Sequence, residues 1–317
     1  MSIVLRTTGL SKSFKGKEVV SEVSMTIRKG EIYGFLGPNG AGKTTVMRML
    51  TGLVAPSGGT IELFGEPVRR GEVEPLKRMG SMIEYPVFYE HLSAQQNMRL
   101  HCDYMGCYDP DAIGEALRLA GLKDTGGKPV KAFSLGMKQR LGIARAICAK
   151  PELLILDEPV NGMDPVGIRE LRELFRALSK DYGITILISS HILQEIEVLA
   201  DTIGIIHEGK LVEEVSMEQV RNERTACIEA VTSDARQAAF VIEEQLGIRS
   251  FKVLGNDTVR VYDPRIAPSE LARALVLHGI GLTSLTRRNV SLEEQFLKWI
   301  QGGKSHGDAD EARASKN

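Results

Sequence analysis

No stretch of this chain is apolar enough to cross a bilayer. The longest uninterrupted hydrophobic run is five residues, 238–242, in a chain of 317; a spanning helix needs about 20. The opening residues, MSIVLRTTGLSKSF, lack the long apolar core of a secretory signal. A surplus of basic charge is also missing: Lys and Arg number 40 against 41 Asp and Glu, for a net charge of −1. Binding that rests on neutralising a phosphate backbone needs that surplus, so bulk attachment to DNA or RNA is disfavoured and no nucleic-acid partner is expected. Cysteine is scarce, with four residues in all. Only Cys102 and Cys107 lie near each other, and no second Cys or His pair completes a zinc site around them. Reduced thiols are the expectation. Disorder is excluded by a 43% hydrophobic content, enough for a sizeable core. At about 150 residues per domain, the length suggests two domains.

What is present divides the chain. Residues 1–217 alternate strand-like and helix-like segments, which predicts an α/β sheet covered on both faces. Short runs rich in β-branched residues at 31–36, 153–156 and 184–188 read as buried parallel strands. Helices are predicted at 43–53, 138–149 and 168–180. Residues 85–133 carry several tyrosines and read mostly as helices, at 93–104 and 109–120, so they predict a helical insertion. Beyond 217 the order strand 226–231, helix 233–245, strands 251–254 and 258–262, helix 269–278, strand 282–286 and helix 292–300 gives a small α+β domain at 224–300. Its β-α-β-β-α-β order is the ferredoxin-like arrangement. Residues 301–317 hold few apolar groups and predict a frayed tail.

The strongest motif is Gly37, Pro38, Asn39, Gly40, Ala41, Gly42, Lys43, Thr44, which fits G-x-x-x-x-G-K-[ST] and is followed by Thr45. The glycines let the backbone curl and point its N–H groups at an anion. The next helix adds its positive end. Lys43 supplies a cation for the β- and γ-phosphates, and Thr44 a hydroxyl for Mg²⁺. A second motif is the strand 153–156 ending in Asp157 and Glu158. Because alternate strand residues face opposite sides, one strand end can serve two roles. Asp157 would hold Mg²⁺ through water, and Glu158 would polarise the attacking water. A helix cap at Asp157 is the plainer alternative. His191, after Ser189 and Ser190, can contact a γ-phosphate or orient water; a solvated His at a helix start is the other reading.

Taken in order, these motifs resemble the ATPases of ABC transporters over residues 1–215. The resemblance implies a P-loop NTPase fold that binds ATP with Mg²⁺. It makes 37–45 the Walker A loop, 153–158 Walker B, 161–165 the D-loop and His191 the switch histidine. Phe14 stands where the family has an aromatic residue that stacks on adenine. The family's signature appears as Phe133, Ser134, Leu135, Gly136, Met137: Ser134 and Gly136 survive, while a Gly and a Gln have become Leu135 and Met137. In the family this segment acts on ATP bound to a second subunit, which implies a homodimer. Where the family usually has a Q-loop glutamine, this chain has Glu84, an alternative Mg²⁺ ligand that adds negative charge beside Asp157 and Glu158. Glu84 together with Ser-Leu-Gly-Met-Lys is similar to the bacitracin-resistance and lantibiotic-immunity branch. That branch pairs with separate membrane permeases and exports peptide antibiotics, which implies a cytoplasmic protein held peripherally at the inner face of the membrane. Residues 84–91 could receive a permease helix or could be core packing of the insertion; both readings stand. A translation or repair ATPase is disfavoured, because there is one motif set and Lys43 and Asp157 are only 114 positions apart with no coiled coil between. An importer ATPase is the remaining alternative.

Overall fold

The computed structural model describes residues 2–69, 71–106, 108–222, 226–289 and 296. The chain divides into two units, Met1–Met217 and Glu218–Asn317.

The first unit begins with β1 (Ile3–Phe14), β2 (Lys17–Val23), β3 (Thr26–Arg28) and β4 (Ile32–Leu36). Helix α1 (Lys43–Leu50), β5 (Gly58–Leu63), β6 (Glu66–Pro67) and β7 (Met79–Met82) follow. Three helices come next, α2 (Ala94–Met105), α3 (Pro110–Leu119) and α4 (Leu135–Ile147), before β8 (Leu153–Leu156). The unit closes with α5 (Pro165–Lys180), β9 (Thr185–Ser190), α6 (Leu193–Leu199), β10 (Thr202–His207) and β11 (Lys210–Ser216).

These strands form two sheets. The larger has the order β11-β10-β4-β9-β8-β7, parallel throughout except for the β10–β11 pair. Every residue of β4, β8 and β9 is buried. That explains the apolar runs of β4, β8 and residues 186–188 of β9: a parallel strand covered on both faces has no solvated side to show. Each fully buried Leu or Ile contributes about 1.5–3 kcal/mol relative to exposure. The second sheet, β2-β1-β5-β6 with β3 also paired to β1, is antiparallel. The alternating pattern of the sequence did not reveal this layer. Its local signal is a two-residue turn at Lys15 and Gly16, both with positive φ, which folds β1 back onto β2.

Local chemistry sets the helix starts. Ser93 and Gln96 form a reciprocal capping box at α2, with Gln96 N–H donating to Ser93 Oγ at 3.2 Å and Ser93 N–H to Gln96 Oε1 at 2.9 Å. Asp109 caps α3 ahead of Pro110. Helix α4 starts at Leu135, three residues before the expected 138, because Ser134 is its cap. Strand β9 runs through Ser189 and Ser190, past the expected end at 188, since both serines stay paired with β4. Core packing does not account for the whole of 84–91: Pro86 is buried, but Tyr85, Val87 and Tyr89 are exposed.

Helix α7 (Met217–Asn222) leads into β12 (Ala226–Thr232), α8 (Ala235–Leu246), β13 (Phe251–Leu254), β14 (Thr258–Val261), α9 (Pro268–Leu277) and β15 (Leu282–Asn289). The sheet order is β13-β14-β12-β15, all antiparallel. Ile228, Ala230, Val259 and Val261 turn one sheet face onto Ile242 of α8 and Leu271 and Leu275 of α9. The helix expected at 292–300, but for residue 296, and the tail at 301–317 lie outside the described residues.

Candidate active site

Three neighbouring parallel strands, β4, β9 and β8, end at one edge of the large sheet, in register Leu36↔Ser190 and Leu156↔Ile188. Loops leaving the carboxyl edge of such strands converge, which is where α/β folds place their ligands. The glycine-rich loop leaves β4, Asp157 and Glu158 leave β8, and His191 leaves β9. Gly37 N–H donates to Ser190 C=O at 3.3 Å and ties the loop to β9. Gly40 and Gly42 hold φ of 79° and 104°, which side chains rarely adopt. At Gly42 a side chain would also press on Val19 and Val20 of β2.

The lysine is the centre of the arrangement. Lys43 is buried, and its ammonium donates to Gly37 C=O at 2.7 Å and Pro38 C=O at 3.2 Å. It also lies 3.2 Å from Glu158 Oε1. The other oxygen of that carboxylate, Oε2, is 2.8 Å from His191 Nδ1. An ionised carboxylate only accepts, so His191 donates from Nδ1 and carries its proton there. Thr44 Oγ1 donates to Asp157 Oδ2 at 2.7 Å. Its hydrogen is thereby spent, which leaves the oxygen its lone pairs. No helix cap is formed by Asp157; its Oδ1 accepts from Ser189 Oγ at 2.6 Å. Ser189 Oγ in turn accepts from Glu158 N–H at 2.9 Å. Ser189 therefore fixes both carboxylate residues, a role no motif announced.

Strand alternation does not separate the two carboxylates, contrary to the sequence reading. Strand β8 ends at Leu156, and Glu158 sits in the left-handed region at φ 48°. That conformation is strained for a residue with a Cβ and turns Glu158 toward Lys43 and His191. A cavity of about 270 Å³ opens here, lined by Asn39, Gly40, Thr45 and Asn161 beside Lys43, Thr44 and Glu158. One more group lies behind it. Glu195 of α6 is buried and accepts from Ser190 Oγ at 3.0 Å. Burial raises its carboxyl above the usual range, and Glu158 adds to the rise; the Ser190 hydrogen bond and Arg172 oppose it.

Phe14, Ser134, Gly136 and Glu84 do not line that cavity. Phe14 ends β1 with its ring exposed and Lys12 Nζ 4.9 Å from the ring centroid. Ser134 caps α4 by accepting from Met137 N–H at 3.2 Å, and Gly136 faces Met163. Glu84, two residues past the end of β7, pairs with Arg48 of α1. It is close to the carboxylates in the fold, since Asp157 N–H donates to Met82 C=O at 2.9 Å. Its charge is matched by Arg48, a partner the sequence reading missed. A second concavity, about 410 Å³, lies between the 87–89 segment and α2, where Leu100, His101 and Tyr104 face Arg145. Burial and the Arg145 charge lower the His101 pKa.

Residues 20–161 match the ABC transporter family. The chain is 45% identical to the bacitracin transport ATP-binding protein BcrA of Bacillus licheniformis, over 96% of this chain and 99% of that protein. It is 47% identical to the lantibiotic transport ATP-binding protein SrtF of Streptococcus pyogenes, over 66% of this chain and 89% of that protein. The structure of an ATP-binding subunit of an ABC transporter superposes with a TM-score of 0.62 at 30% identity, covering 69% of this chain and 92% of that one. With the phosphate loop and Glu158 lining one cavity, Asp157 bonded to Thr44 and His191 bonded to Glu158, the chain belongs to the ABC transporter ATP-binding proteins, an ATPase family.

Proposed function

We propose that this chain is the ATP-hydrolysing motor of an exporter that removes a peptide antibiotic, of the bacitracin or lantibiotic class, through a separate membrane permease. The observation that carries the hydrolytic part is the placement of Glu158, with one oxygen toward Lys43 and the other toward His191. The cargo class rests on likeness to BcrA over nearly the whole of both chains.

In this reading ATP lies with its phosphates in the 37–45 loop. Lys43 moves from its loop carbonyls to the β- and γ-phosphates. Glu158 takes a proton from the attacking water, and His191 holds the carboxylate in the orientation that meets that water. Mg²⁺ fits at Thr44 and Asp157. Among the described residues no group of three or more His, Cys, Asp or Glu could enclose a metal. A site with few protein oxygens suits an ion that keeps its waters and binds substrate phosphates. When bound, Mg²⁺ neutralises charge on the β- and γ-phosphate oxygens. Glu84 would join it only by leaving Arg48. Phe14 offers an exposed ring face for adenine.

Ser134 and Gly136 do not line the cavity beside Lys43. This supports a homodimer in which each copy's α4 N-terminus meets the other copy's ATP. The concavity between 87–89 and α2, rimmed by exposed Tyr89 and Tyr104, suits a permease's cytoplasmic helix. We read the second unit, with its 4-1-3-2 strand order, as a ferredoxin-like domain and residues 85–133, which hold α2 and α3, as a helical insertion. The protein would sit peripherally at the inner membrane face. Affinity purification from solubilised membranes tests the assignment: a polytopic membrane protein should come down with the tagged chain. Recovery with ribosomes or DNA instead would overturn it.

A further inference from the structure

The sequence places Cys102 nearest Cys107, but the fold places it against Cys148. Cys102 lies in the last turn of α2, and Cys148 is the residue that ends α4. Their sulfur atoms are 3.3 Å apart, and both side chains are buried. None of the hydrolytic steps uses this pair. It is asymmetric in one respect. Cys148 lines a cavity of about 230 Å³ between α3, α4 and α5, beside Ala116, Leu178 and Tyr182. Cys102 is fully buried and does not line it.

The cavity wall is mostly apolar, with Lys150 and the pair in which Tyr182 Oη donates to Glu115 Oε1 at 3.2 Å as its polar groups. A space of that volume holds several water-sized molecules. Lys150 brings a cation to the wall that Cys148 also lines, and a cation near a thiol favours the reactive thiolate. Hydrogen peroxide is small enough to enter, and it reacts with thiolates.

We propose that Cys148 and Cys102 form a peroxide-oxidisable dithiol site that reversibly staples α2 to α4. The Cys148 thiolate attacks one peroxide oxygen and the O–O bond breaks. Cys148 becomes a sulfenic acid, and the departing hydroxide takes up the proton that Cys148 had lost, as water. The Cys102 sulfur then attacks the Cys148 sulfur. An S–S bond forms, the S–O bond breaks, and the hydroxyl leaves as water with the Cys102 proton. In sum two thiols and one peroxide give one disulfide and two waters. A thiol donor returns both residues to the reduced state by exchange. The staple joins two functional helices, since α2 lines the concavity at Leu100, His101 and Tyr104 while α4 carries Ser134 and Gly136 at its start.

The test uses the full-length chain. It is exposed to hydrogen peroxide, its remaining thiols are blocked, and the digest is mapped by mass. A peptide cross-linked between Cys102 and Cys148 should appear, with two thiols lost per chain and restored by dithiothreitol. Met105, exposed at the end of α2, is the internal reference for peroxide exposure. In Cys102→Ala, dimedone should label Cys148 as a trapped sulfenic acid; in Cys148→Ala, Cys102 should stay unlabelled. A Cys102–Cys107 or intermolecular link in place of the pair would overturn the proposal. So would both thiols surviving while Met105 is oxidised, or dimedone labelling of Cys102 in Cys148→Ala.

Discussion

Replacing Glu158 by Gln keeps the size of the side chain and removes its charge. In the structure that charge has two engagements, 3.2 Å to Lys43 Nζ and 2.8 Å to His191 Nδ1. At 3.2 Å and an effective dielectric near 20, the gross attraction between Lys43 and Glu158 is about 5 kcal/mol. Its removal frees Lys43 for phosphate, so ATP affinity should hold or rise. The chemical step is affected in the opposite sense. A positioned general base contributes about 10²–10⁴ in rate, roughly 3–5 kcal/mol of barrier. Steady-state phosphate release should therefore fall by about that factor, while a fluorescent ATP analogue binds as tightly as before. If His191 acts only through Glu158, then His191→Ala should add little in the Glu158→Gln background, because residues that act as a unit are not additive. Turnover within about tenfold of the unaltered chain would refute the assignment of Glu158. Full additivity of the two losses would refute the coupling to His191.

Further outcomes follow from the same geometry. Ser189→Ala removes the hydroxyl that both donates to Asp157 and accepts from Glu158 N–H. A buried group left unsatisfied costs about 1–3 kcal/mol, so thermal melting should fall and the Mg²⁺ concentration needed for half-maximal turnover should rise. Burial raises the Glu195 carboxyl in the fold. The folded state then holds that proton more firmly than the unfolded one, and stability is lost as pH rises from the ordinary carboxylate range through the folded pKa. Glu195→Gln should raise the melting temperature near neutrality and leave it unchanged in acid, where Glu195 is already protonated. Since every residue at the cavity beside Lys43 lies in Met1–Met217, a chain of residues 1–217 should still bind ATP in an equilibrium titration.

The residues of the candidate site were legible because local sequence encodes them. A glycine loop between a buried strand and a helix, and carboxylates closing an apolar run, announce themselves at short range. What escaped depends on partners far along the chain. Ser189 and Arg48 become meaningful only once β9 lies beside β8 and α1 lies near the end of β7. In the antiparallel layer the β1–β5 pairing joins residues as much as 58 positions apart, as in Leu5↔Leu63, which no local period reveals. The turn of Glu158 into the left-handed region runs against its residue type and falls at the site itself. In the second unit the element order was readable from alternation and turn residues, such as the Gly255 turn between β13 and β14.

The most direct test of the account is antibiotic tolerance. Cells carrying the permease with either the unaltered chain or Glu158→Gln are compared against a panel of peptide antibiotics that includes bacitracin. The account predicts that only the unaltered chain raises the inhibitory concentration of at least one of these peptides. Equal tolerance of both strains across the panel would contradict it.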